Sequence, residues 1–220
     1  MHHAEFNLVV LISGNGSNLQ AIIDAIQDQT LPATLRAVIS DRPGAFGLSR
    51  AVKAHIPTHV VDYKQYPQRA DFDKALMQQI DAYSPDLVVL AGFMRILTTE
   101  FVQHYTDKMI NVHPSLLPKY QGLNTHQRVL DAGEQTHGAS VHYVTPELDS
   151  GPLILQGEVP VFPDDSAQSL QQRVHAIEHK ILPAAIRLIA SGQVSFRNQR
   201  VYYGDKPIEK FQLDSLAKQL

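Results

Sequence analysis

The sequence predicts an α/β fold: a Rossmann-like, mainly parallel twisted sheet flanked by helices, with an antiparallel C-terminal part. Three observations carry this expectation. Short apolar, β-branched runs alternate with amphipathic stretches of helical length, the rhythm of βαβ units with right-handed crossovers. The runs are apolar on both faces, as strands covered by helices on both sides must be. After residue 113 the rhythm changes to alternating strands joined by a loop.

Taken in order, Phe6–Ser13 ("FNLVVLIS") reads as the first strand. "GNGSN" breaks it and "LQAIIDAIQ" follows with helical spacing. Leu35–Asp41 is a second strand, "AFGLSRAVKAH" a second helix, and Thr58–Asp62 a short third strand. Gln68–Tyr83 is amphipathic, with Phe72, Leu76, Ile80 and Tyr83 along one face. Asp86–Phe93 is a fourth buried strand, "EFVQHY" a turn or two of helix, and Lys108–His113 a fifth strand. "LNTHQRVLDAGE" reads as a short helix, and Ala139–Thr145 and Leu153–Val161 as alternating strands. Ser166–Ser191 reads as a long helix that Pro183 can bend, and "VSF" and "VYY" suggest a small terminal hairpin. No repeat, low-complexity tract or linker divides the 220 residues, so one domain over 1–220 is expected.

Composition narrows the function classes. A net charge of -3 argues against a surface that neutralises many nucleic-acid phosphates. With no cysteine there are no disulfides, thiolate metal sites or thiol nucleophiles. The N-terminus lacks a charged leader and no apolar run approaches the length of a membrane span, so a cytoplasmic protein without membrane partners is expected.

Three polar loops follow strands, and in an open parallel sheet they would share the rim where ligands bind. "SGNGSN" leads into a helix whose start favours a phosphate. It matches neither GxGxxG nor the P-loop, and only Asp41 could serve as the acidic residue of a dinucleotide site, so a monophosphate fits better. The bland alternative is a tight turn with Ser17 or Asn18 as N-cap. "GFMRIL" follows the fourth strand, and "NVHPSLLP" ends the fifth. Asn111 and His113 leave the same face of that strand end, and the following proline holds His113 extended. An amide donor beside an imidazole suits acyl transfer, although for an isolated NxH a merely polar strand end is the better bet. An orienting carboxylate is available in "TPELDSG", where Glu147 and Asp149 lie among turn formers; there too a turn-forming Asp149 is the simpler reading. Histidines 126, 137 and 142 lack metal-ligand spacing. His175 and His179, four apart beside Glu178, could hold a cation, but a solvated helix surface is the simpler reading, so no metal is expected.

Together "LVVLISGNGSNLQAIIDAI", "VVLAGFMRIL", "NVHPSLLPKY", "GASVHYVTPELDSGP" and "EHKILP" resemble the folate-dependent phosphoribosylglycinamide formyltransferases, in order and with near-constant spacing from Leu8 to Pro183. The resemblance implies formyl transfer from 10-formyltetrahydrofolate, as co-substrate, to the amine of glycinamide ribonucleotide in purine biosynthesis. It implies a phosphate-binding half over 6–113, a folate-binding and catalytic half over 114–191, and a tail over 192–220. Gly16, Ser17 and Asn18 would bind the 5′-phosphate, and Glu178, with His175, Ala176 and Ile177, the glycinamide group. Arg69, Met94, Arg95, Ile96 and Leu97, with Asn111 and the loop Thr145, Pro146, Glu147, Leu148 and Asp149, would bind the folate. Asn111 and His113 would stabilise a tetrahedral intermediate, with Asp149 orienting and tuning His113. The enzyme would be a monomer or homodimer.

Four nearby positions depart from the family pattern: Gln121 stands where proline is common, Asn124 for histidine, Pro146 for an acidic residue and Ser150 for glycine. The competing readings are a 10-formyltetrahydrofolate hydrolase, a methionyl-tRNA formyltransferase, a Rossmann-like dehydrogenase and a non-catalytic nucleotide-binding protein. The hydrolase usually carries an extra N-terminal domain and the tRNA enzyme a C-terminal one, and neither is expected in this chain.

Overall fold

A computed structural model describes residues 5–213. The chain forms two compact units, Met1–Ile110 and Asn111–Leu220.

In the first unit, β1 (Asn7–Ile12), β2 (Thr34–Ser40), β3 (Thr58–Val60) and β4 (Leu87–Leu90) alternate with α1 (Ser17–Gln27), α2 (Phe46–Lys53) and α3 (Arg69–Asp81), and α4 (Thr99–His104) follows β4. β1 pairs in parallel with β2 and with β4, and β2 with β3. That is the all-parallel arrangement the doubly apolar runs implied. Residues Leu8 to Ile12 are fully buried, and Leu19 and Ile22 of α1 and Leu76 and Ile80 of α3 contribute further fully buried side chains. β4 is shorter than the apolar run: Gly92 takes a left-handed φ of 72°, and the ladder stops at Leu90.

β5 (Met109–His113) ends in the second unit, followed by α5 (Thr125–Asp131), β6 (Thr136–Tyr143), β7 (Leu153–Pro160) and α6 (Ala167–Ala190). β6 and β7 are antiparallel, and their register shifts between Val141 and His142. α6 packs on both strands. Its start is held by a Ser166/Ser169 capping box and by Arg173, whose guanidinium meets Asp165 at 2.8 Å. Pro183 lies inside this helix.

The tail is richer than a hairpin. β8 (Val194–Arg197), β9 (Arg200–Tyr203) and β10 (Lys206–Ile208) make a separate antiparallel sheet, and β11 (Phe211–Gln212) adds in parallel to β7. Two- and three-residue strands carry too little periodicity to be read from sequence. The face that anchors them is aromatic: Phe196 stacks on Tyr143 with ring centroids 4.8 Å apart, and Tyr203 meets Phe211 edge-on at 5.0 Å.

Candidate active site

In the first unit, the glycine-rich turn is built for close approach. Gly16 is the N-cap of α1, in a left-handed conformation with φ 73° and no side-chain cap, so the alternative in which Ser17 or Asn18 caps the helix does not hold. The cause is steric. A Cβ on Gly16 would come within 2.6 Å of the Cα of Gly47, so only glycine lets this turn lie against the start of α2. A helix start without a capping side chain keeps its first N–H groups for an anion. Arg50 secures the turn from α2, donating through Nε to the Asn15 carbonyl at 2.9 Å and through Nη2 to Asn15 Oδ1 at 3.0 Å.

The loop after β4 sits beside this turn: Ser13 N donates to the Gly92 carbonyl at 3.2 Å, and Met94 N to Ser13 Oγ at 2.8 Å. Met94 and Ile96 stand 60% and 65% exposed, apolar side chains presented to solvent on a backbone held at its base. Arg95 points instead to buried Asp41, at 2.5 Å. Arg69 opens α3 with its side chain exposed.

In the second unit the Asn–His–Asp group comes together across long sequence separations. His113, 6% exposed at the end of β5, places Nδ1 3.4 Å from Asp149 Oδ2. Its Nε2 lies 3.0 Å from the Tyr120 carbonyl, an acceptor only, so Nε2 carries the proton. Asp149 adopts a left-handed φ of 48° inside the β6–β7 loop, and its Oδ2 accepts from Gly122 N at 2.9 Å. The carboxylate is thus more than a turn former. The loop closes tightly: a Cβ on Gly151 would meet the Tyr143 carbonyl at 1.7 Å.

Asn111 finds a partner that sequence reasoning missed. Its Nδ2 is 3.1 Å from His142 Nε2, while His142 Nδ1 is 2.9 Å from the Tyr143 carbonyl. The carbonyl fixes the proton on Nδ1, leaving Nε2 as acceptor. Burial pushes His142 down to about 4, which the Tyr143 carbonyl and Asp149 only partly oppose. The β6–β7 register shifts beside His142, and no sequence signal announces that shift.

Beneath His113 the "SLLP" segment is held by a buried polar network. Ser140 Oγ donates to the Ser115 carbonyl at 2.6 Å and accepts from Leu117 N at 3.1 Å, and Gln156 Nε2 reaches the Leu117 carbonyl at 2.9 Å. A network satisfied in this way fixes backbone position. Two of the departing positions meet: Gln121 Nε2 donates to Ser150 Oγ at 3.0 Å and to the Asp149 carbonyl at 3.2 Å. Asn124 is the left-handed N-cap of α5.

His126 and His137 form a neutral pair, Nδ1 to Nε2 at 3.1 Å. Burial first, then neighbouring histidines, push both down to about 4. On α6, Glu178 is 4% exposed, so the solvated-surface reading fails for it, while His175 and His179 stack at 6.3 Å. Thr145 Oγ1 donates to the Glu147 carbonyl at 3.3 Å, and Leu148 is 54% exposed. No group of three or more ligating side chains that could hold a metal occurs among the described residues, and none of their helices is long and apolar enough to cross a membrane.

A half-buried, hydrogen-bonded amide together with a buried imidazole and its carboxylate can stabilise an oxyanion and move a proton. Comparison with known proteins gives the chain's relatives. A family model described as "Formyl transferase" matches residues 6–186. The chain is 51% identical over 196 residues to the phosphoribosylglycinamide formyltransferase of Escherichia coli K12, covering 89% of this chain and 92% of that one. It is 42% identical to the Haemophilus influenzae protein of the same name, covering 92% and 96%. The structure of the phosphoribosylglycinamide formyltransferase from Coxiella burnetii superposes with a TM-score of 0.91 at 52% identity, over 95% of this chain and 99% of that one.

Proposed function

The chain belongs to the formyl transferase family, and from that premise we propose that it transfers the formyl group of 10-formyltetrahydrofolate to the amine of glycinamide ribonucleotide, a step of purine biosynthesis. The observation that carries the reading is the corner formed by Asn111, His113 and Asp149, with His113 Nδ1 3.4 Å from the Asp149 carboxylate.

The substrate amine attacks the formyl carbon and the carbonyl oxygen gathers negative charge. Asn111 meets that oxygen with the amide N–H not given to His142, and His113 adds a second donor. His113 then passes a proton to the departing folate nitrogen as its bond to the formyl carbon breaks, and recovers one from the attacking amine, while Asp149 keeps its ring in place. Both ring nitrogens of His113 are engaged, one with Asp149 and one with the Tyr120 carbonyl. The ring therefore gives up the Tyr120 contact to reach substrate, exchanging a neutral carbonyl acceptor for the developing oxyanion. Gly16, Ser17 and Asn18 receive the 5′-phosphate at the uncapped start of α1. Glu178, with His175, Ala176 and Ile177, holds the glycinamide group. Arg69, Met94–Leu97 and the Thr145–Asp149 loop take the folate. The reaction runs in the cytoplasm, on a monomer or homodimer.

The deciding assay follows folate product with and without glycinamide ribonucleotide, then repeats it on His113→Ala. Transfer that needs the ribonucleotide and fails in the variant is expected. Equal turnover without the ribonucleotide favours the hydrolase, and ligand binding without turnover the binding-only protein.

A further inference from the structure

Asp41 directly follows β2 and is completely buried, yet its carboxylate makes an ion pair with Arg95 at 2.5 Å, and Arg42 Nε lies 3.5 Å from the same oxygen. The Arg95 guanidinium also lies over the ring of Tyr63, 3.3 Å from its centroid. Tyr63 is placed for this by a 3₁₀ turn, Tyr63–Gln65, whose N-cap Asp62 accepts from Lys64 N. The Tyr63 N–H also donates to the Asp41 carbonyl at 3.3 Å. Asp41 Oδ1 is buried with no hydrogen-bond partner among the described residues.

As a device for stability this arrangement is poor. A buried ion pair gains little over a well-packed apolar pair, and an unpaired buried carboxylate oxygen costs free energy. What it achieves is geometric. Arg95 lies between Met94 and Ile96, so with Ser13 holding the Met94 backbone and Asp41 holding the Arg95 guanidinium, the two exposed apolar side chains stand on either side of an anchored residue. Such a platform is ready for a flat, partly apolar heterocycle without first being ordered.

We propose that Asp41 and Tyr63 are positioning residues for the formyl donor, acting through Arg95 to preorganise the Met94–Leu97 loop. This rests on the functional reading above and extends it to two residues outside the loop. Asp41→Asn keeps shape and removes the charge, Tyr63→Leu removes the ring, and Tyr63→Phe keeps it. The probe is tetrahydrofolate, the reaction's own product, titrated calorimetrically. Its Kd is expected to rise about tenfold in Asp41→Asn and in the same direction in Tyr63→Leu, with Tyr63→Phe within about twofold of wild type. In steady-state kinetics KM for the folate donor rises while KM for glycinamide ribonucleotide stays put. Unchanged Kd in a folded Tyr63→Leu overturns the inference and leaves the functional reading standing. Parallel loss of both KM values and of thermal midpoint in Asp41→Asn and Tyr63→Leu reduces the clamp to a structural role and also overturns it. A wild-type protein that binds no tetrahydrofolate sinks both.

Discussion

Asn111 donates its side-chain amide to Nε2 of His142 at 3.1 Å, and only a neutral His142 can accept that bond. Burial keeps the His142 imidazole neutral, and the Tyr143 carbonyl at Nδ1 leaves Nε2 free to accept from Asn111. His142 therefore decides which way the Asn111 amide points. His142→Ala is expected to lower kcat by about tenfold or more, within the hundred- to thousandfold that loss of an oxyanion donor costs. Substrate KM values should hold. A kcat equal to wild type would show that Asn111 needs no such orientation.

Direct removal is the harsher case. Asn111→Ala and Asp149→Ala are expected to lose about a hundred- to a thousandfold in kcat, with circular dichroism unchanged. Asp149→Ala also frees Gly122 N, so its loop loosens and the donor KM rises with it. Near-normal turnover in either variant removes the residue from the mechanism.

Three histidines make stability depend on acid. His126, His137 and His142 each sit at about 4 in the folded chain, below the usual value near 6.5. Between those limits the unfolded chain binds protons that the folded chain refuses, so unfolding takes up protons. Their contribution is fully present above about pH 6.5 and falls away as pH drops toward 4. Calorimetry in buffers of different ionisation heat should find up to three protons taken up on unfolding near pH 5 from these groups, and none from them at pH 8. A thermal midpoint flat from pH 7 to 4.5 contradicts this.

The parallel half was readable because strands buried on both faces announce themselves as unbroken apolar runs: "NLVVLI" and "LVVL" are strands where the runs stand. Gly16 and Asn111–Val112–His113 were readable too, since a left-handed glycine and a period-two strand end are local properties. Nothing local links His113 to Asp149 or Asn111 to His142, which are 36 and 31 residues apart. The first was supplied by resemblance. The second joins two strands beside a register shift that no local pattern marks. Glu178 looked like solvated surface because a helical wheel cannot show which polar residue its neighbours cover.

Gln121 and Ser150 give the last test. Each departs from the family pattern, and the two side chains meet at 3.0 Å, with Gln121 also on the Asp149 carbonyl at 3.2 Å. Together with the Gly122 N–H on Asp149 Oδ2, they tie residues 121–122 to residues 149–150 by three hydrogen bonds. Both side chains are exposed, so water competes and each bond contributes at the low end of about 0.5–1.5 kcal/mol. Thermal stability should therefore hardly change in Gln121→Ala. Turnover is the sensitive readout, because these bonds restrain the backbone that aims Asp149 at His113, and a drop in kcat of a few-fold is expected. Ser150→Gly should do less, since it leaves the bond to the Asp149 carbonyl in place. If the two act as one latch, the double variant is no worse than Gln121→Ala alone, whereas independent contributions would multiply. Multiplying losses would show that the two positions do not work together.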